Sequence, residues 1–307
     1  MTVQEAKFFG KAQLVNSPSA LLDCEVFLQE ILECSKTQLL FSREKDLTPE
    51  QEKKFLSFVD ERKTGLPVAY ITGHKEFFGY DFYVCPEVLI PKPDTEILVE
   101  KGIEELKNIF DSKKASSEKI KILDMCTGSG CVGLSIFKTA LENKIFSKEN
   151  APQLFLADIS ENALAVAKKN LTSLLDAETQ KSVFLVKTNL FENINETFDL
   201  IVSNPPYVPH SESIELLKDG RNEPLLALDG DAMQDGKISC KNDGLFIIRN
   251  LVPEAYKHLK TDGSFLCESG EYNAEETLRI FKDCGFCNTK IFKDLEGQLR
   301  VSAGKRK

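Results

Sequence analysis

The chain has 307 residues, and its 39 lysines and arginines against 48 aspartates and glutamates give a formal net charge of −9. This length accommodates one large or two ordinary globular domains. The acidic balance disfavours a protein whose main partner is duplex DNA, because neutralising phosphates requires positive charge. The sequence contains no run of 18 apolar residues and no leader-like start, so we expect a cytoplasmic protein that does not contact a membrane.

Nine cysteines are scattered along the chain, an odd number that fits reduced thiols better than a disulfide framework. Cys284 and Cys287 have the spacing of a redox or zinc pair, but the sequence holds no second pair of this kind. We therefore predict a helix-to-strand turn at this point, with Phe286 in the core. No metal is expected.

The first 93 residues contain two segments of different composition. In residues 1–64 the apolar residues recur at helical spacing, and serine or threonine caps with a nearby proline, in "NSPSA" and "LTPE", indicate helix starts. This segment predicts a small helical bundle. Residues 65–93 are rich in aromatic and β-branched residues and are interrupted by Gly73 and Gly79, a pattern that predicts a β-hairpin connector.

The remaining residues, 94–307, are predicted to form an α/β domain. Asp94 and Thr95 are candidate caps for its first helix. Apolar strands ("IKILDM", "QLFLAD", "VFLVKT", "FDLIVS" and "GSFLCES") then alternate with helical stretches, which implies parallel pairing and right-handed crossovers. The last two strands, 288–293 and 299–303, are too close for a crossover helix and should form an antiparallel edge hairpin. The fold class is thus a Rossmann-like, mostly parallel seven-stranded sheet beside a small N-terminal helical domain.

A glycine-rich loop follows the first strand of this domain and opens a helix. Gly128, Gly130 and Gly133 satisfy the G-x-G-x-x-G pattern, which lets the backbone approach a cofactor closely. A dinucleotide site requires an acid about 20 residues later, and Asp158 lies 28 residues beyond Gly130. An insertion explains the excess equally well, so the spacing alone leaves both cofactor types open.

Two carboxylates favour S-adenosylmethionine over a dinucleotide. Asp124 precedes the glycines, where a negative charge suits a positively charged amino acid better than a pyrophosphate. Asp158 ends the second strand, and its carboxylate is able to accept hydrogen bonds from both ribose hydroxyls. The alternatives are that Asp124 caps the helix entry and that Asp158 caps the following helix, although Ser160 is better placed for that second task.

The stretch "SNPPYVP" follows the apolar strand "FDLIV". Adjacent prolines end a strand and stiffen the loop, and ligands bind at the carboxyl ends of strands in open α/β sheets. An amide nitrogen is a poor nucleophile because its lone pair is delocalised. The Asn204 side-chain oxygen and the Pro205 carbonyl are candidates to accept the two hydrogens of a substrate NH₂ group and to orient its nitrogen. Pro206 adds rigidity, and Tyr207 offers a face for a planar amide.

"NPPY" after a fourth strand resembles the signature of class I amino-methyltransferases that act on planar NH₂ groups. Within that class, residues 67–79 and 88–100 resemble the segments that join the two domains of release factor glutamine methyltransferases of the PrmC/HemK type. Residues 223–230, 242–245 and 297–305 resemble the C-terminal half of the same family. The resemblance covers about residues 66–304 and is highly specific, whereas the first 64 residues match only as a helical bundle.

This resemblance implies an S-adenosylmethionine-dependent methyltransferase. The implied substrate is the glutamine of the Gly-Gly-Gln loop of peptide chain release factors, with methylation at N5 modulating translation termination, and the helical bundle is expected to recognise the release factor. A monomer is expected. The implied substrate contacts are Asn204, Pro205, Pro206 and Tyr207, which are also the catalytic residues. The implied cofactor contacts are Asp124, Cys126, Thr127, Gly128, Ser129, Gly130, Asp158, Asn189, Leu190 and Asn204.

The chain departs from the family pattern at several positions. The family often has glycine at Cys126, aspartate at Asn189 and an aromatic residue near Leu190, and it has arginine at Lys92. A lysine keeps the charge of that arginine but loses the bidentate fork. Residues 231–241 resemble an insertion between two motifs and are predicted to form a surface loop. None of these departures lies in "NPPY".

Four other functions compete with this interpretation. A glutamine methyltransferase acting on a ribosomal protein is the nearest, and "IPKPDTE" argues against it. A DNA adenine methyltransferase would flip a base into the same loop, but the net charge of −9 argues against direct nucleic-acid binding. A dinucleotide-dependent oxidoreductase leaves "NPPY" unexplained. A non-catalytic binding module leaves both the glycine loop and "NPPY" unexplained.

Overall fold

The computed structural model describes residues 1–113, 118–218, 222–232 and 236–307. The chain folds into two compact units. The first comprises Met1–His74 with Leu216–Asn222, and the second comprises Lys75–Glu215 with Glu223–Lys307. Of the helices in the described part of the chain, none has the length and apolar character that a membrane span requires.

The first unit is helical. Its core is a cluster of buried apolar side chains that includes Phe27, Leu28 and Phe55. Gly10 permits the close packing of the first helix, because a Cβ atom at this position would lie 2.5 Å from the Cys24 sulfur. The helices are α1 (Val3–Gln13), α2 (Ala20–Leu32), α3 (Lys36–Phe41), α4 (Pro49–Lys63) and α5 (Val68–Thr72).

The two predicted helix caps of this unit have different outcomes. Thr48 caps α4 as predicted, since its hydroxyl accepts a hydrogen bond from the backbone nitrogen of Gln51. The predicted serine cap of α2 is wrong, because the Ser19 side chain makes no capping bond. Its hydroxyl donates instead to the buried carboxylate of Asp23 at 2.7 Å, which also accepts from Arg62 Nε at 2.8 Å. A buried carboxylate needs these donors more than an exposed helix end does.

The segment predicted as a connector, 65–93, contains α5 and two short strands. These are β1 (His74–Phe77) and β2 (Tyr80–Tyr83), which pair with each other in a two-stranded sheet. The boundary between the two compact units falls after His74. The interpretation of this whole segment as one connecting element stays a prediction.

The second unit contains the predicted seven-stranded sheet. Its strand order is β5-β4-β3-β6-β7-β9-β8, in which β3 to β7 are parallel and β9 is antiparallel to both of its neighbours. The α/β fold class and the antiparallel edge hairpin are therefore confirmed. The strands are β3 (Lys121–Met125), β4 (Gln153–Asp158), β5 (Val183–Lys187), β6 (Phe198–Ser203), β7 (Leu259–Glu268), β8 (Cys287–Lys293) and β9 (Leu299–Lys305). The helices are α6 (Glu96–Ser112), α7 (Cys131–Glu142), α8 (Glu161–Leu174), α9 (His210–Lys218), α10 (Phe246–His258) and α11 (Ala274–Asp283), and the last three residues of α9 belong to the first unit.

Both faces of the central strands of this sheet are buried. Neighbouring residues of β3 and β6 belong to two different apolar clusters: Ile122 and Leu200 lie in one, whereas Leu123 and Ile201 lie in the other. This arrangement explains why the strands read as continuous apolar runs instead of alternating ones. The strand order reverses at β3, whose neighbours β4 and β6 continue in opposite directions, and ligands bind at such a switch point.

Two smaller predictions concern loops of this unit. The turn in "CGFC" is confirmed: α11 ends before it, Gly285 has φ of +94°, and Phe286 is buried in the core. In the predicted insertion 231–241, residues 233–235 lie outside the described residues. Lys237 and Cys240 in the described remainder are exposed, whereas Asp231 is buried.

Candidate functional site

A cavity of about 1010 Å³ lies in the second unit, at the carboxyl ends of β3, β4, β5 and β6. Most of the residues predicted from the sequence share its wall. The exceptions are Gly130, Pro205 and Tyr207, which do not line it. The predicted residues that do line it are Asp124, Cys126, Thr127, Gly128, Ser129, Asp158, Asn189, Leu190, Asn204 and Pro206.

Asp124 ties the glycine loop to the helix that follows it. This side chain is buried at the end of β3, and its Oδ2 atom accepts hydrogen bonds from the Thr127 hydroxyl at 2.6 Å and from the Gly133 backbone nitrogen at 2.9 Å. Burial raises the pKa of Asp124 to about 7, although both donors act in the opposite direction. Asp124 thus holds the loop in shape and also contributes a titratable group to the cavity wall.

Two glycines of the G-x-G-x-x-G pattern have different roles. Gly133 lies in α7, close to β3 and β4. A Cβ atom there would lie 2.8 Å from Leu156 Cδ2 and 2.9 Å from Asp124 Oδ2. Gly128 has φ of +53°, and a Cβ atom there would meet nothing within 4 Å. Gly133 is therefore required for packing, whereas Gly128 leaves backbone exposed to the cavity.

Asp158 faces the glycine loop from the end of β4. Its Oδ2 atom accepts from the Gly128 backbone nitrogen and its Oδ1 atom from the Ser160 backbone nitrogen, both at 2.9 Å. Burial raises the pKa of Asp158, and these backbone donors act against that rise. The hydroxyl of Ser160 caps α8 by accepting from Ala163 N. The carboxylate therefore does not serve as the helix cap, and each oxygen keeps a lone pair for a further donor.

The segment after β5 closes another side of the cavity. Thr188 anchors it, because its backbone nitrogen donates to the Asp158 carbonyl at 3.0 Å and its hydroxyl donates to the Leu190 carbonyl at 2.8 Å. Leu190 is held at φ of +45°. The Asn189 side-chain nitrogen donates to Glu192 at 2.8 Å. Asn189 and Leu190, two of the four positions that depart from the family pattern, lie on the cavity wall.

Asn204 leaves β6 and enters the cavity. Its side-chain nitrogen donates a hydrogen bond of 3.1 Å to the hydroxyl oxygen of the buried Thr95. In the part of the chain that the structure describes, no donor binds its Oδ1 atom. This contact corrects one prediction: Thr95 makes no capping bond to α6 and serves Asn204 instead. Because one end of the planar amide is fixed, the oxygen is presented in one orientation.

The Asn-Pro-Pro-Tyr loop, residues 204–207, is held through its backbone. Tyr272 Oη and Asn273 Nδ2 each donate to the Tyr207 carbonyl at 3.2 Å. Gly244 approaches the same carbonyl so closely that a Cβ atom would lie 2.1 Å from it. The Tyr207 hydroxyl donates to Glu268 Oε1 at 3.3 Å. None of the donors among the described residues binds the Pro205 carbonyl, but Pro205 is buried and does not line the cavity.

Sequence reasoning missed one wall of the cavity. Pro224, Leu225, Leu226 and Ala227 line it, and Glu223 fixes this segment by accepting hydrogen bonds from Lys92 Nζ at 2.7 Å and from the Ile90 backbone nitrogen at 3.3 Å. Residues 223–230 resemble a family motif, but that resemblance did not predict that the segment lines the cavity. The lysine that replaces the family's arginine has a structural partner here.

Comparison with known proteins adds independent findings. Residues 6–73 match the family model described as "PrmC N-terminal domain", and residues 99–219 match the "Methyltransferase small domain". A release factor glutamine methyltransferase of Buchnera aphidicola is 34% identical over 285 residues, which cover 93% of this chain and 92% of that protein. Those of Leptospira interrogans and Clostridium acetobutylicum are 34% and 32% identical over 286 and 309 residues, covering 92% and 98% of this chain and 90% and 97% of theirs. The similarity therefore spans both units of the chain.

Proposed function

This chain belongs to the release factor glutamine methyltransferase family, and we propose that it transfers the methyl group of S-adenosylmethionine to N5 of the glutamine in the Gly-Gly-Gln motif of peptide chain release factors. The observation that carries this proposal is the fixed amide of Asn204 beside the glycine loop. A carboxamide that receives a methyl group needs hydrogen-bond acceptors that orient its nitrogen. The Asn204 side-chain oxygen is such an acceptor, and Asn204 lines the cavity together with the glycine loop.

The residues of the cavity fit S-adenosylmethionine. At Gly128 an added Cβ atom would point into open space, so the loop backbone faces whatever fills the cavity. Asp158 has acceptor capacity left for ribose hydroxyls, and ionised Asp124 suits the cationic amino acid portion. When bound, this group supplies an electrophilic methyl carbon. We propose that the holding residues are Asp124, Cys126, Thr127, Gly128, Ser129, Asp158, Asn189, Leu190 and Asn204, which line the cavity, and that Gly130, which does not line it, completes the loop.

The acceptor amide is oriented by the Asn-Pro-Pro-Tyr loop. The Asn204 side-chain oxygen accepts one hydrogen of the substrate NH₂ group, and the Pro205 carbonyl accepts the other. Positive charge that develops on the nitrogen strengthens both bonds, so they stabilise the transition state more than the ground state. Positioning of this kind contributes up to roughly 7–11 kcal/mol to lowering the barrier. The surplus proton of the product leaves to water.

The other two loop residues support this arrangement. Pro206 lines the cavity and limits reorganisation of the loop when a substrate enters. Tyr207 does not line the cavity, and its hydroxyl donates to Glu268. We assign to Tyr207 the task of fixing the loop, and contact between its ring and the substrate stays a prediction.

The remaining parts of the proposal concern organisation and context. Residues 1–64 recognise the body of the release factor. Residues 65–93 connect this bundle to residues 94–307, which carry the cofactor site and the residues for methyl transfer. Two glycines before the target glutamine leave its neighbours without side chains, so the loop is able to enter a narrow slot. The enzyme works as a monomer in the cytoplasm, without a metal and without direct nucleic-acid contact.

The test is transfer of a labelled methyl group from S-adenosylmethionine to purified release factor, followed by mass-spectrometric identification of the modified residue. The matched control is a release factor whose Gly-Gly-Gln glutamine is replaced by alanine. We expect label on that glutamine and none on the control. Equal labelling of both factors would refute the substrate assignment. Parallel reactions with ribosomal proteins and with adenine-containing DNA decide between the competing methyltransferase functions.

A further inference from the structure

Glu268 is a buried carboxylate behind the Asn-Pro-Pro-Tyr loop. It ends β7 and is 1% exposed. Its Oε1 atom accepts the hydrogen bond from the Tyr207 hydroxyl at 3.3 Å, whereas Oε2 has no hydrogen-bond partner among the described residues. Burying a carboxylate oxygen without a partner costs free energy. Such an atom in a native fold requires a physical reason.

The surroundings of Glu268 connect it to both ends of the loop. Tyr207 is the last residue of the loop and donates to Glu268 directly. Asn204 is the first and donates to Thr95, whose hydroxyl is close enough to lower the pKa of Glu268. Arg300 supplies positive charge nearby and is itself held by Asp294 at 2.9 Å and by Asp94 at 3.2 Å.

Glu268 does not line the cavity, so it does not touch a bound substrate. We infer that Glu268 is a positioning residue for methyl transfer: by holding the Tyr207 hydroxyl and facing the Thr95 hydroxyl, its carboxylate fixes the loop in the geometry that presents the Asn204 oxygen. This inference rests on the proposed function, because it concerns the orientation of the same acceptor amide. It assigns a role to a residue that no motif in the sequence indicated.

The charge on Glu268 determines how well it performs this task. Burial raises its pKa to about 7, while the hydroxyls of Thr95 and Tyr207 and the charge of Arg300 lower it and Asp94 raises it. The Cys131 thiol at the start of α7 also faces it, and burial raises the pKa of that thiol to about 12, so it stays neutral. Below its pKa, Glu268 is protonated and uncharged, so its carboxyl accepts a weaker hydrogen bond from the Tyr207 hydroxyl. The hold on the loop therefore weakens as the pH falls through about 7.

The test compares four full-length proteins: wild type, Glu268→Gln, Tyr207→Phe and the double variant. Glutamine keeps the shape and an acceptor oxygen but has no charge to gain or lose. Because a charge-assisted hydrogen bond is about twice as strong as a neutral one, we expect kcat of Glu268→Gln to fall about 10-fold. The affinity for S-adenosylmethionine, measured by calorimetry, should stay within about 2-fold. Glu271→Gln is the control, since this exposed carboxylate lies three residues further on.

Two further readouts separate positioning from a merely structural role. At saturating S-adenosylmethionine, the wild-type kcat should rise from pH 6 to pH 8 more steeply than that of Glu268→Gln, in which Asp124 still titrates. The double variant should be no slower than the slower single variant, because both changes break one contact. A wild-type pH profile in Glu268→Gln, or multiplicative losses in the double variant, would overturn the inference.

Failure of the proposed function gives a different result. In that case the wild type methylates no release factor, and the kinetic readouts do not apply. The same four proteins then report on the contact through their unfolding midpoints in denaturant. Non-additive midpoint shifts would support the coupling of Glu268 to Tyr207, and additive shifts would overturn it.

Discussion

The side chains of Asn204 and Thr95 are 109 residues apart in sequence, and a hydrogen bond of 3.1 Å from Asn204 Nδ2 to Thr95 Oγ1 joins them. Thr95 is buried just before α6, while Asn204 follows β6 and lines the cavity. An amide side chain is planar, so fixing its nitrogen also fixes its oxygen. This single contact therefore determines which group of Asn204 a ligand meets.

Replacing Thr95 tests that contact. Thr95→Val removes the hydroxyl at nearly constant volume and leaves the Asn204 nitrogen without its partner, a loss of about 1–3 kcal/mol. We expect kcat for methyl transfer to fall at least about 10-fold, with little change in the affinity for S-adenosylmethionine. Thr95→Ser keeps the hydroxyl and should retain most of the activity. A fully active Thr95→Val enzyme would contradict the orienting role.

Replacing Asn204 itself should separate chemistry from cofactor binding. Asn204→Ala removes the acceptor oxygen of the substrate amide, so turnover should be abolished. Binding of S-adenosylmethionine should fall much less, because the glycine loop and Asp158 are unchanged. Steady-state rates and calorimetry measure the two effects. A parallel loss of both would mean that Asn204 serves the cofactor alone.

Asp158 should contribute mainly to cofactor affinity. Asp158→Asn keeps the shape of the side chain but removes the charge and one acceptor, and hydrogen bonds to charged groups contribute about 1.5–3 kcal/mol. We expect the Kd for S-adenosylmethionine to rise about 10- to 100-fold. Asp283→Asn is the control, because that carboxylate is exposed at the end of α11. Unchanged affinity in Asp158→Asn would remove this residue from the proposed site.

Gly133 should be sensitive to a single added methyl group. Gly133→Ala places Cβ 2.8 Å from Leu156 Cδ2 and 2.9 Å from Asp124, so we expect a loss of about 1–3 kcal/mol in unfolding free energy. Ser135→Ala, two residues further along α7, removes a buried hydroxyl that has no partner among the described residues. It should be neutral or slightly stabilising. Thermal unfolding of both variants checks the contrast, and an equally stable Gly133→Ala protein would be incompatible with this packing.

The raised pKa of Asp124 predicts a pH dependence of stability. Burial raises it to about 7 from 3.8, so between about pH 4 and pH 7 the folded state binds more protons than the unfolded state. Stability from this group is therefore lost as the pH rises through that window. Asp124→Asn keeps an acceptor oxygen for Thr127 and Gly133 and removes the titration. The difference between the Tm of the variant and that of the wild type should increase in favour of the variant up to about pH 7 and stay constant above it. A pH-independent difference would contradict the raised pKa.

Much of the fold follows from local patterns in the sequence. The strands β3 to β6 were predicted nearly to the residue. For β3, β4 and β6 the reason is that a strand buried on both faces is a nearly continuous apolar run. The short connection before β9 allowed only a hairpin. The position of this hairpin in the sheet was not predicted from the sequence. β9 lies between β7 and β8, so the last strand in the chain is not the last in the sheet. That order depends on pairing between strands distant in sequence.

The sequence by itself determined the parts of the site that lie on single loops. The glycine pattern and "NPPY" were recognisable because glycine and proline change the conformations that the backbone adopts wherever they occur. The two acids were recognisable because each directly follows an apolar strand. Only the tertiary structure decided which polar groups meet. Thr95, Glu223 and Glu268 reach their partners across 109, 131 and 61 residues of sequence. A buried hydrogen bond requires its donor and acceptor atoms to lie about 3 Å apart. The sequence pattern does not predict which distant residues come that close.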